Sequence, residues 1–241
     1  MYLTRSAKRK LPEYAEQVKL EENKLKEKNK PKPPILFEGK YKYETDFIGC
    51  AVISDELLDE AEKTEDLLVI GFDLEWPFSY ETGPGKTALI QMCTSANDQM
   101  VYMLHVTNLT KLPAVLVKLL SHPKVRIAGV NIRNDVHKLC RDFSIAEKEI
   151  ILANCVDSRT QAKELTSITG WSMEKLVNHF FGKSISKDKK VRNSKWHILP
   201  LSKVQLLYAA TDAYVSLKLY THLKEEAKKP QIEEDPLLAL L

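Results

Sequence analysis

The stretch from Leu67 to Trp76, LLVIGFDLEW, is an apolar run that ends in acid, and it reads as a buried strand. A chain that must bury such a strand is committed to a sheet in its core. Along a strand, residues two apart point to the same face, so Asp73 and Glu75 are neighbours. Two carboxylates held there repel each other and lose hydration. A hard divalent cation with oxygen ligands compensates both costs. Taken alone, the pair is equally a solvated strand end, because an Asp-x-Glu is expected about once in a chain of this length.

Two further clusters carry acids. From Leu201 to Lys228, apolar residues at Val204, Leu207, Tyr208, Val215, Leu219 and Leu223 have the spacing of one buried helix face, with Pro200 just before it. Tyr208 and Asp212, four apart, then stack on one side of that helix. Upstream, Val125 to Val130 reads as a short buried strand, followed by a turn near Asn131 and a helix from Ile132 to Phe143. Leu139 and Phe143 are expected on its inner side, Lys138 and Arg141 outside. Asp135 falls in the first helical turn, where an acid also serves simply to complement the helix dipole. A packed tyrosine and a dipole-compensating aspartate are the plain alternatives for Tyr208 and Asp135 taken singly; the case rests on all three clusters occurring together, in order.

Strand-like runs at Phe47 to Ile53, Leu67 to Trp76, Ala88 to Cys93, Met100 to His105 and Val125 to Val130 precede a mostly helical second half. That order predicts an α/β fold in which carboxylates from a central strand and from two helices can converge. With 241 residues and 44% hydrophobic content, the chain can bury one good core. No apolar stretch is long enough to cross a bilayer, and Met1 to Lys10 is not a secretory signal. Cys50, Cys93, Cys140 and Cys155 show no paired spacing, which fits reduced intracellular thiols. His105, His122, His179, His197 and His222 have no ligand spacing.

Charge is uneven. Residues 1 to 34 hold 10 Lys plus Arg against 5 Asp plus Glu, leaving 26 against 28 for the remainder. A basic, flexible N-terminal arm over residues 1–40 is therefore expected, able to bind nucleic acid nonspecifically, followed by a domain over 41–228 and a short tail over 229–241. A second basic group, Lys183, Lys187, Lys189, Lys190, Arg192 and Lys195, crowds the connection before the Tyr208 helix. Lys189, Lys190, Arg192 and Lys195 are the candidate phosphate contacts, against the alternative of a solvated loop. TGPGKT, residues 82 to 87, lacks the first glycine of a phosphate-binding loop, since Tyr80 stands at that position. It is expected to be a mobile turn whose Lys86 touches substrate. Trp171 and Trp196 are expected to be packing anchors, with stacking on nucleic-acid bases as the alternative.

FDLEW, GVNIRNDVHKLCRDF and RNSKWHILPLSKVQLLYAATDAY resemble the three exonuclease motifs of the ribonuclease D-like superfamily. The resemblance is strongest to the exonuclease domain of the Werner syndrome protein and its stand-alone animal relatives, with WPFSYETGPGKTALIQMC, GWSMEKLVNHFFGK and KDKKVRNSKWH contributing. It spans roughly Ile48 to Leu223. What it implies is a ribonuclease H-like fold, a central mixed sheet flanked by helices, and a 3′-to-5′ exonuclease using two Mg²⁺ or Mn²⁺ ions. By the same resemblance Asp73, Glu75 and Asp212 are inner ligands, Asp73 bridges the ions, Asp135 holds the second partly through water, and Tyr208 orients the attacking water. Leu207 stands where the other subclass has histidine, so the chain resembles the tyrosine class. His137 departs from the tryptophan found there in the vertebrate Werner protein, and no duplex contact is carried over. Expected substrates are DNA with accessible 3′ ends, in repair or replication in the nucleus, with Lys8, Arg9 and Lys10 as a nuclear-import candidate. The alternatives are an RNA-processing exoribonuclease or a non-catalytic nucleic-acid scaffold. No helicase-like segment follows, so a stand-alone nuclease is expected.

Overall fold

In the computed structural model, which describes residues 31–186 and 188–229, six strands form one mixed sheet. They are β1 (Lys40–Glu44), β2 (Leu68–Glu75), β5 (Leu89–Thr94), β6 (Asn97–His105), β7 (Val125–Gly129) and β8 (Cys155–Asp157), in the spatial order β1-β6-β5-β2-β7-β8. Consecutive β5 and β6 pair antiparallel, as does β5 with β2, while β2, β7 and β8 run parallel and β1 lies parallel to β6. Two residues each from β3 (Phe78–Ser79) and β4 (Gly83–Pro84) make a small separate hairpin just past the end of β2. This is the mixed sheet flanked by helices that the sequence leads one to expect.

Strand alternation divides the core in two. Ile70, Phe72 and Leu74 of β2, with Ile90 and Met92 of β5, pack against α1 (Phe47–Lys63), α2 (Ala114–Leu120) and α3 (Ile132–Phe143). Val69, Leu89, Cys93 and Met103 face the other way, toward α8 (Lys203–Glu226). Asp73 and Glu75 continue the odd-numbered row of β2, so they too lie beneath α8. That helix approaches β2 so closely that a Cβ at Gly71 would overlap the Ala213 carbonyl and the Leu217 amide. A third apolar cluster joins α5 (Ser158–Leu165) and α6 (Met173–Phe181) to α8 through Ala162, Leu176, Val177, Val215, Leu219 and Leu223. The short helices α4 (Lys148–Ala153) and α7 (Lys189–Arg192) complete the described elements.

Several expectations need correction. Phe47 to Ile53 opens α1 and is not a strand: Asp46 caps it by accepting from the Gly49 amide at 2.9 Å, and Cys50, Ile53, Leu57, Leu58 and Ala61 are buried at helical spacing. The periodicity is legible only over a window longer than seven residues. On α8, Val204 and Leu207 are exposed; the buried row begins at Leu206, Ala209 and Ala210. Lys138 is buried, its ammonium donating to the Gly85 carbonyl at 2.6 Å and to Asp142 at 2.9 Å, above the Trp76 ring. Residues 85–87 are pinned rather than free, since the Thr87 amide and hydroxyl both donate to Asp142 at 2.8 Å. Ile35 and Phe37, placed by the sequence reading in a flexible arm, are buried, Ile35 in the cluster of α5, α6 and α8 and Phe37 in the one between the sheet and α8. Residues 1–30, with Lys8 to Lys10, and the tail beyond Lys229 lie outside the described residues.

Candidate active site

Three chain segments deliver the acids. β2 ends in Asp73 and Glu75 on the α8 face. Ser202 and Gln205 form a capping box that starts α8 at Lys203, which sets the phase that carries Tyr208 and Asp212 over the strand. Between β7 and α3 the chain turns at Asn131, whose φ of 67° is the left-handed conformation that asparagine tolerates. Because α3 begins at once, Asp135 sits in its first turn.

Asp73, Glu75 and Asp212 each bring a carboxylate oxygen within 4.8 Å of the others. Glu75, Asp135 and Asp212 are buried and Asp73 partly so. Asp135 stands outside that tight group, yet the Asp73 charge acts on it and its own charge acts on Glu75. Burial raises the Asp73 pKa to about 6, opposed by the Leu74 amide, by Gln91 and by the Arg192 charge. Glu75 is raised well above its ordinary value, by burial and then by Asp73 and Asp212. Asp212 is raised likewise, by burial and Asp73, against the Tyr208 hydroxyl that donates to it and the Arg192 charge. Asp135 is pushed up to about 8 by burial and the charges of Asp73 and Asp157. The cluster thus gathers carboxyls whose charged forms the protein alone disfavours, in an all-oxygen donor set suited to a hard cation.

Of the expected phosphate contacts, Arg192 is the one whose charge reaches Asp73, Glu75, Tyr208 and Asp212. Trp196 explains its placement. Fully buried, it donates its indole N–H to the Arg192 carbonyl at 3.0 Å and lies 6.2 Å from the Tyr208 ring, tying α7 to the site as a packing anchor. Lys189, Lys190 and Lys195 face solvent on the same segment. Lys86 is used otherwise: it donates to the Leu109 carbonyl at 2.6 Å and lies 4.1 Å from the Phe143 ring centre, so its ammonium serves packing.

Gln91 was not foreseen. It pairs across from Asp73 in the β2–β5 register, is fully buried, and donates to an Asp73 carboxylate oxygen at 3.3 Å. A glutamine interrupting the apolar LIQMCT is the signal that marks it.

A family model described as 3′-5′ exonuclease matches residues 49–228. The chain belongs to the 3′-5′ exonuclease family. A Drosophila erecta protein named 3′-5′ exonuclease is 45% identical over 213 residues, which cover 87% of this chain and 60% of that protein. This chain therefore spans about three-fifths of the length of the family members it resembles. Among solved structures, the Aedes aegypti Nibbler EXO domain superposes with a TM-score of 0.63 at 18% identity, covering 86% of this chain and 98% of that one. Trypanosoma brucei RNase D gives 0.62 at 21%, covering 81% and 68%. These likenesses establish the ribonuclease H-like fold of this family.

Proposed function

We propose that the chain is a metal-dependent 3′-to-5′ exonuclease of the tyrosine class, closest to the Werner branch, which hydrolyses DNA from its 3′ end to nucleoside 5′-monophosphates. The observation that carries this reading is the convergence of Asp73, Glu75 and Asp212 within 4.8 Å, with Tyr208 bonded to Asp212. Three carboxylates so placed fit Mg²⁺ or Mn²⁺; Asp73, Glu75 and Asp212 would hold two such ions directly, Asp135 the second partly through water. Bound ions of this kind supply a more acidic water and neutralise charge gathering on the phosphodiester.

The remaining chemistry belongs to the chain. Tyr208, whose pKa burial and Asp212 raise, stays protonated at neutral pH and donates to Asp212. Its oxygen is then left to accept from the attacking water, turning that water's lone pair toward phosphorus. The water oxygen adds to phosphorus and gives up a proton to solvent, the bond to the 3′ oxygen breaks with its electron pair staying on that oxygen, which takes up a proton from solvent, and the phosphate leaves on the released nucleotide. Arg192, whose charge reaches the acids, would offset negative charge growing on the phosphoryl oxygens. Lys189, Lys190 and Lys195 would guide the strand as solvent-facing cations, a role that weakens with salt. Repair or replication in the nucleus follows from the Werner-like motifs, and RNA processing is the competing substrate reading.

Equal-length DNA and RNA strands labelled at the 5′ end, incubated with Mg²⁺ or Mn²⁺, test polymer and polarity together. The expected product is a DNA ladder shortening from the 3′ end, with RNA cut more slowly. If Asp73→Ala with Glu75→Ala released mononucleotides as fast as the parent, the site would be a scaffold and not a catalyst.

A further inference from the structure

The carboxyl ends of β2, β7 and β8 lie side by side, and the row does not stop at the acids. Register pairs Gly71 with Ala128 and Gly129 with Asp157, so Asp157 sits two strands from Asp73 at nearly the same level. Two strand spacings amount to about 10 Å. Asp157 caps α5 and is almost saturated: it accepts from the Asn131 amide at 3.3 Å, from the Arg159 amide at 2.9 Å, and from Arg159 Nε and Nη2, the latter at 2.7 Å. Arg159 is thus clamped along one edge of its guanidinium. Its other edge is unspent, since Nη1 has no hydrogen-bond partner among the described residues and the side chain is 36% exposed. Its charge is felt by Asp135, the acid on its side of the site.

Resting on the nuclease reading above, we propose that Arg159, fixed by Asp157, binds a phosphate of the substrate strand adjoining the scissile one, at the Asp135 edge of the site. The chemistry fits in three respects. A planar fork with one edge anchored keeps two parallel N–H donors for phosphate oxygens and loses little rotamer entropy on binding. Its Asp157 partner offsets the guanidinium charge in the free protein, while the unspent N–H edge still offers donors to an anion. Finally, Arg192 and Arg159 approach the acids from different elements, α7 and α5, the former beside Asp212 and the latter beside Asp135. A strand crossing the metal site would meet one guanidinium on each side. Asp157 in this scheme is a positioning residue, acting only through Arg159.

The test is a binding cycle read by fluorescence anisotropy, with a single DNA strand in calcium and the strand verified intact. Arg159→Ala is expected to bind roughly tenfold more weakly, and its log affinity should fall less steeply with log salt, by about 0.7 per lost phosphate contact. Strands carrying one uncharged methylphosphonate at successive linkages locate the contact: one substitution near the 3′ end should weaken the parent protein but cost Arg159→Ala nothing further. Arg159→Lys, which keeps charge and loses the fork, should retain the salt slope and lose part of the affinity. If every methylphosphonate costs Arg159→Ala as much as the parent, Arg159 touches no phosphate and the proposal is overturned. The same holds if Asp157→Asn and Arg159→Ala, both melting like the parent, keep its affinity and slope. Mononucleotide release by the parent in magnesium is scored separately; its absence sinks the hydrolytic reading while the binding cycle still judges Arg159.

Discussion

The two faces of the central sheet are made from alternate residues of the same strands, yet they do opposite things. Toward α1, α2 and α3, the even residues of β2 are Ile70, Phe72 and Leu74, all nearly inaccessible. Toward α8, the odd residues begin as Val69, narrow to Gly71, and finish as Asp73 and Glu75. One face seals hydrocarbon with hydrocarbon. The other brings a helix so near, at the glycine, that the helix's own acid and tyrosine reach the strand's acids. Stability and chemistry are therefore separated by a rotation of half a pleat, and each face should fail in its own way.

The sharpest way to break that separation is a pair of neighbours. Asp73→Asn should lower exonuclease turnover roughly 10⁴-fold, the scale at which members of a catalytic unit fail, and leave the urea midpoint of the metal-free protein unchanged or higher. Phe72→Ala, one residue away, should cost about 3–5 kcal/mol of stability in urea titration while the fraction still folded keeps its turnover in the cold. A Phe72 variant that stayed stable, or one that lost turnover while fully folded, would show that the faces are not independent.

Sequence reasoning reached, on both faces, what local period encodes. Asp73, Glu75, Asp135, Tyr208 and Asp212 are each placed by local period, a strand end, a first helical turn and a four-residue helical step, and local period is what a chain displays. α3 is found from Ile132 to Phe143, as its spacing foretells. Beyond the short strand read at Phe47 to Ile53, the polar placements that escaped depend on partners distant in the chain. Gln91 is polar at a core position because Asp73 lies across from it, 18 residues away. Lys138, read as outward, is buried because Gly85, 53 residues away, receives its ammonium, while Asp142 one turn on adds a local partner. Lys86 is drawn to Leu109 and Phe143 instead of substrate. In all three cases the polar group is satisfied by tertiary pairing, which spacing does not encode.

A smaller effect tests how the α8 face divides its labour. Tyr208→Phe removes the hydroxyl that donates to Asp212 and, in the proposed mechanism, steers the water. Turnover should fall about 10²-fold, the lower range for a positioned proton-handling group, while the KM for the strand changes little. Equal losses in KM and turnover would instead mean that the ring chiefly positions nucleic acid, and an unaltered rate would remove its assigned part.

The smallest expected effect concerns the acids without their cations. Asp73 and Asp135 are shifted to about 6 and about 8, and Glu75 and Asp212 upward as well, whereas in the unfolded chain carboxyls titrate near ~4. A raised folded value means that the folded protein holds its protons more tightly than the unfolded one. The stability contributed is whole below about pH 4 and is lost as pH rises through the folded values, so the metal-free melting temperature should decline by several degrees between about pH 4 and 8. Manganese must displace those protons, and its stabilising shift should therefore be larger at about pH 7.5 than at pH 5. Differential scanning calorimetry at both pH values, with and without the ion, reads the two slopes. Asp73→Asn combined with Asp212→Asn should flatten both, and a manganese shift that survived in that variant would place the cation elsewhere than beneath α8.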